Sequence, residues 1–414
     1  MTPPTVSSLP PGNFADPVLI TEPRGGIPQV IDTPEALAQA AQTLAQGRQP
    51  IALDVERAQG FRYGTDPYLI QIRREDAGLF LIDSHALPDL SSLAPALHTL
   101  WILHAADQDL PNLRHVNLEP TDIFDTEIAA RLLGYERFGL AAVCERTLGL
   151  TMLKDHQAAN WSVRPLPPDW LRYASLDVEL LTELYIQLSH QLHDMHRWEW
   201  AQQEFTYIRH QPPHTPKKDR WRTLPGAGKI RDRRGLALLR ALWETRERLA
   251  KSIDIAPTLL VRNSALIRAA QYPPRNKRAL HAIAEFRSPK AREYSDEWMR
   301  AITSVKTLKD CELPLLHPTR DPASIPEARN WKRIDPAAYA RLIAVRAAVQ
   351  SVAEPQGIAA EIVLAPKVQR WLAWAPYEGK RPLSEAITAR FHESDARPWQ
   401  KELTMSAIIT ALCA

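Results

Sequence analysis

The chain has 414 residues, enough for two or three domains with their own cores, and a globular composition apart from 35 prolines, which favour long connections. Its start is neither basic nor apolar, no run of about 18 apolar residues occurs, and Cys144, Cys311 and Cys413 lack metal-ligand spacing. A signal peptide, a membrane span, a cysteine metal site and a disulfide framework are therefore not expected. The net charge of +3 conceals an asymmetry: residues 1–205 carry 14 Lys and Arg against 27 Asp and Glu, whereas residues 206–414 carry 37 against 21. The first observations make a cytoplasmic protein the expectation, and the charge split predicts that the acidic half does chemistry while the basic half grips a polyanion.

Residues 1–30 are rich in proline and read as an irregular arm. After the polar stretch Gly47-Arg48-Gln49-Pro50, the run Ile51-Ala52-Leu53-Asp54-Val55-Glu56 reads as a buried strand. Strand residues two apart share a face, so Asp54 and Glu56 project together. Like charges held side by side repel and lose hydration, and a hard divalent cation between them resolves both costs. The alternative is a pair of acids facing solvent at a strand end. Further strands are predicted over 68–73, 79–82 and 101–103, and helices over 107–113, 126–133 and 140–148, with one long helix over 170–192. Three successive short strands suggest an antiparallel meander within a mixed sheet, and the α/β domain ends near residue 200.

The stretch 211–218 reads as a linker, and the chain beyond it as all helical, with helices over 235–251 and 263–270. A related pattern returns about a hundred residues later. Arg240-Ala241 corresponds to Arg346-Ala347, and Ile255-Ala256-Pro257-Thr258-Leu259-Leu260 to Ile358-Ala359-Ala360-Glu361-Ile362-Val363. Around the boundary lie Lys217, Lys218, Arg220, Arg222, Lys229, Arg231, Arg233 and Arg234, either a solvated linker or a nucleic-acid-binding stripe.

Three more residues join the opening pair. Asp109 follows the strand over 101–103 and falls in the first turn of the next helix, near the sheet edge. Tyr173 and Asp177 are four apart, on one face of a helix. Asp83, Asp107, Asp122 and Asp125 are competing acids, of which Asp125 reads as a helix N-cap. Four carboxylates converging from a strand and two helices suit two metal ions that clamp an in-line phosphoryl displacement.

This arrangement resembles the DEDD exonuclease superfamily in its tyrosine subtype. The first motif is Asp54-Val55-Glu56, the second runs from His104 to Asp109, and the third joins Tyr173 to Asp177. Trp161-Ser162-Val163-Arg164-Pro165-Leu166 is also similar to the family. The whole chain resembles the ribonuclease D family, which implies an exonuclease domain with an RNase H-like mixed sheet and flanking helices, followed by two all-α HRDC-like modules. The expected boundaries are 31–205 for the exonuclease domain, 206–230 for a basic linker, 231–311 for the HRDC domain and 335–414 for a diverged second copy. In that copy Ala360 replaces Pro257. The resemblance implies that Asp54, Glu56, Asp109 and Asp177 hold two Mg²⁺ or Mn²⁺ ions and that Tyr173 positions the attacking water. It further implies an RNA substrate with a free 3′ end, such as a tRNA precursor, with no membrane and no obligate protein partner. The motifs touch phosphate and metal rather than sugar, so a DNA 3′-5′ exonuclease stays open as the alternative, and a non-catalytic RNA-binding protein as a second.

Overall fold

The structure is a computed structural model that describes residues 16–152, 156, 158–212, 218–317, 324–374 and 382–413. The strands are β1 (Val18–Ile20), β2 (Val30–Ile31), β3 (Ile51–Arg57), β4 (Pro67–Arg74), β5 (Gly78–Ile82), β6 (Leu100–Leu103), β7 (Asp122–Asp125) and β8 (Leu150–Met152). Six of them form a mixed sheet in the order β2-β5-β4-β3-β6-β7. β3, β4 and β5 are the expected antiparallel meander, while β6 runs parallel to β3 and β7 parallel to β6. β3 is central because its apolar residues, from Ile51 to Val55, are buried on both faces of the sheet. β7 is too short and too acidic at its ends to stand out in the sequence. It forms because Ile123 and Phe124 are buried beside Tyr185, Trp198 and Phe205.

Two expectations need correction. The arm over 1–30 is not irregular throughout: β1 pairs in parallel with β8 to make a separate two-stranded sheet, and residues 1–15 lie outside the described residues. The single helix over 170–192 is two, Pro168–Glu179 and Leu181–Asp194, which break at Leu180. At the break Glu179 is fully buried, held 3.1 Å from the Arg73 guanidinium and accepting from the Arg24 amide at 3.2 Å.

The basic half is helical, as expected. Its first module has the order Arg233–Ser252, Pro257–Leu260, Asn263–Gln271, and the second repeats it as Pro336–Gln356, Ala360–Val363, Pro366–Trp374. Each long helix ends at a turn with positive φ, at Asp254 (+46°) in the first copy and Gly357 (+61°) in the second. The modules differ in what they bury. The first closes its own core around Leu239, Phe286 and Trp298, whereas Trp331, Val345, Leu372 and Trp399 of the second merge with the core of the α/β domain. Trp221, Ala227 and Ile230 also belong to the first module's core, and helix Trp198–Arg209 overruns residue 205. Little of the stretch 206–230 is thus a free linker.

The two corresponding turns both dock on the α/β domain. Asp254 accepts from the Tyr63 amide at 3.2 Å and pairs with Arg62 at 3.3 Å, and the Ala256 amide donates to Phe61 at 3.0 Å. On the other side Arg197 donates to the carbonyls of Leu132 and Gln356, and the Gly357 carbonyl lies against Gly134. Gly134 has φ +78° and no room for a Cβ, so glycine is required there twice over. Among the described residues no helix is long and apolar enough to cross a membrane.

Candidate active site

β3 and helix Pro168–Glu179 carry the site. Asp54 and Glu56 project from the same face of β3, and the helix crosses that face so that Tyr173 and Asp177, one turn apart, look down on them. Carboxylate oxygens of Asp54, Glu56 and Asp177 all lie within 4.8 Å of one another. Asp109 enters from the other side of a cleft of about 380 Å³ that these residues share with Tyr173, Arg57, His104, Gln108 and Glu127. Asp109 is not in the first helical turn, as expected, but at the N-cap of helix Leu110–His115. An N-cap carboxylate normally accepts from the second or third amide of its helix. Here the second position is Pro111, which has no N–H, the Asn112 amide at the third donates to the Asp109 backbone carbonyl at 3.0 Å, and Asp109 itself has helical φ and ψ; its side chain makes no capping bond and stays available to the cleft.

Burial dominates the electrostatics. It pushes the carboxyls of Asp54, Glu56, Asp109 and Asp177 above their usual range. Mutual repulsion adds to it, with Asp54 raising each of the other three. Asp54 is thus the neighbour that Glu56, Asp109 and Asp177 all share. The Tyr173 hydroxyl is pushed upwards by burial and then by Asp177, with which it interacts directly. His104 is driven down to about 4 by burial and Arg131, so it is neutral; its Nδ1 sits 2.8 Å from Thr126 Oγ1. A set of oxygen donors that cannot all stay ionised by themselves fits hard divalent cations, and the four acids are the residues that would hold them.

The competing acids have other employment. Asp125 caps helix Thr126–Leu132 and also accepts from the amides of Ala105 and Ala106, which fixes the turn leading to Asp109. Asp83 is locked to Arg164, Asp122 accepts from the Ile123 amide, and Asp107 is exposed. The basic run divides. Lys218, Arg220, Lys229 and Arg231 are exposed, and Lys217 lies outside the described residues. Arg222 stacks over Trp221 at 4.3 Å. Arg233 donates to the carbonyls of Asp310, Leu313 and Pro314, and Arg234 to those of Val305 and Lys306. Arg233 and Arg234 thus also fasten the module, although Arg234 remains exposed. Sequence reasoning passed over Tyr272, which is 74% exposed and followed by exposed Arg275 and Arg278. An exposed aromatic followed by exposed arginines is a pattern that suits stacking on nucleic acid.

Residues 28–193 match the family model of a 3′-5′ exonuclease domain, residues 235–302 that of the HRDC domain, and residues 324–412 that of a 3′ to 5′ exonuclease C-terminal domain. Fold and cleft together define a 3′-5′ exonuclease. Ribonuclease D of Zymomonas mobilis is 31% identical over 274 residues, which cover 64% of this chain and 69% of the relative. The solved structure of Escherichia coli RNase D, described as an exoribonuclease involved in structured RNA processing, is 25% identical. It has a TM-score of 0.66 and covers 93% of this chain and 98% of its own. A solved protein from Bifidobacterium adolescentis is 38% identical with a TM-score of 0.87, covering 96% and 100%. The chain belongs to the ribonuclease D family, the 3′-5′ exoribonucleases of the DEDD superfamily.

Proposed function

We propose that this exoribonuclease trims the 3′ ends of structured RNA, tRNA precursors among them, and releases nucleoside 5′-monophosphates. The observation that carries the reading is the convergence of Asp54, Glu56 and Asp177 within 4.8 Å, in one cleft with Asp109 and Tyr173. Asp54, Glu56 and Asp177 would hold one divalent ion, and Asp54 with Asp109 a second, Mg²⁺ or Mn²⁺ in each case. Bound there, such ions neutralise phosphate charge and make water acidic enough to lose a proton near neutral pH.

The protein's own part is placement. The Tyr173 hydroxyl, one helical turn from Asp177 in the same cleft, orients the water for in-line attack on the 3′-terminal phosphorus. The P–O bond to the O3′ of the preceding nucleotide breaks, that oxygen takes up a proton, and the terminal nucleotide leaves with its 5′-phosphate. Asp125 keeps Asp109 at the rim by holding the amides of the intervening turn. Away from the cleft, Lys218, Arg220, Lys229 and Arg231, together with Tyr272, Arg275 and Arg278, would hold the body of the RNA through phosphates and stacking.

Structured RNA as substrate is supported by the activity described for the E. coli relative and by the excess of cations in residues 206–414. The test is a comparison of 3′-extended tRNA with single-stranded DNA of the same sequence, in Mg²⁺ and in EDTA. Faster decay of the RNA, abolished by EDTA, is expected. A preference for DNA, or decay that persists in EDTA, contradicts the proposal.

A further inference from the structure

Arg57 directly follows the Asp-x-Glu pair, and strict strand alternation would turn it away from both acids. The pairing of β3 with β4 slips between Glu56 and Arg57: Glu56 faces Leu69, but Arg57 faces Pro67. A bulge of this kind re-aims the side chain, and Arg57 lines the same cleft as Asp54, Glu56, Asp109, Tyr173 and Asp177. One guanidinium nitrogen donates to the Gln108 carbonyl at 3.1 Å, and the other terminal nitrogen stands 3.9 Å from Asp109. The side chain keeps 24% of its surface exposed, so it is anchored yet open to the cleft. His104 is neutral, which leaves Arg57 as the permanent cation among the described residues that line this space.

Charge balance says what such a cation does there. Four carboxylates and two divalent ions cancel as a set, so the loaded acids offer no net charge to a phosphodiester. The substrate brings a negative charge into the cleft, and more gathers on its oxygens as water attacks. We propose that Arg57 is a further catalytic residue, which binds the non-bridging oxygens of the scissile phosphate. A guanidinium has five N–H donors in a planar fork that suits phosphate, and the bond to Gln108 occupies only one of them. The inference rests on the metal-site reading above.

Its test separates three roles by sign. Arg57→Gln and Arg57→Lys are made in the full chain. Mn²⁺ binding is measured by calorimetry, adenosine 5′-monophosphate binding by calorimetry in Mn²⁺, and kcat and KM on RNA. Removing a cation from beside the acids leaves Mn²⁺ affinity equal or higher. Arg57→Gln is expected to weaken nucleotide binding about tenfold and to lower kcat about 10²-fold, and Arg57→Lys to recover part of both. If Mn²⁺ affinity falls together with nucleotide affinity, Arg57 acts by orienting Asp109 and the proposal is overturned. If nucleotide binding and kcat are unchanged, it is a counterion only, and the proposal is again overturned. A parent protein that binds no Mn²⁺ overturns the metal-site reading itself, an outcome distinct from parent and variant behaving alike.

Discussion

An Asp54→Asn variant is expected to lose at least ~10³-fold in kcat on RNA and, in EDTA, to melt above the parent by about 1 °C for each kcal/mol of repulsion relieved in a cooperative unit of this length. Both effects come from Asp54 acting on Glu56, Asp109 and Asp177 alike. Glu56, Asp109 and Asp177 each lose a repulsive neighbour when this charge is removed, so the metal-free protein gains stability. The donor proposed for both ions is lost at the same step, so the chemistry fails. Activity assays beside calorimetry in EDTA check the pair of results. A variant that loses activity and stability together would show Asp54 to be a structural residue, and one that keeps its activity would remove the acid cluster from the mechanism.

Tyr173→Phe is expected to lower kcat by about 10²–10⁴-fold while leaving KM within about twofold. The ring packs beside Trp161 at 6.4 Å between centroids, and phenylalanine keeps that contact. Only the hydroxyl disappears, the group proposed to aim the water. Mn²⁺ affinity is expected to stay close to that of the parent, because the carboxylates are untouched. Steady-state kinetics with calorimetry checks this, and a rise in KM at constant kcat would assign the hydroxyl to substrate binding.

Local periodicity made part of the site legible. A period of two places Asp54 beside Glu56, and a spacing of four places Tyr173 over Asp177; both relations survive in the fold because regular strand and helix geometry delivers them. The residues that were not legible depend on departures from regularity. Arg57 reaches the cleft through a slip in register that only the partner strand reveals. The Asp109 side chain is left uncapped because Asp109 itself adopts helical φ and ψ and the Asn112 amide goes to its backbone carbonyl, which a sequence pattern does not show. Tertiary ion pairing of Glu179 accompanies the break between the two helices expected as one.

The basic run shows a different limit. Arg233 and Arg234 look the same in sequence as Arg231, but two of the three are aimed at carbonyls and one at solvent. Charge content marks the basic half of the chain but does not show which cations face solvent. The repeat was visible in the spacing of apolar residues, and both copies keep the same helix order. Which copy keeps its own core was set by the surface that each long helix meets.

The most direct measurement follows one RNA from both ends. A 3′-extended RNA labelled at its 5′ end is incubated with the protein in Mg²⁺, and released nucleotides are identified by chromatography. The account predicts a ladder that shortens one nucleotide at a time from the 3′ end, with nucleoside 5′-monophosphates as the product and no reaction in EDTA. Internal fragments, nucleoside 3′-monophosphates or an undiminished rate in EDTA would contradict it.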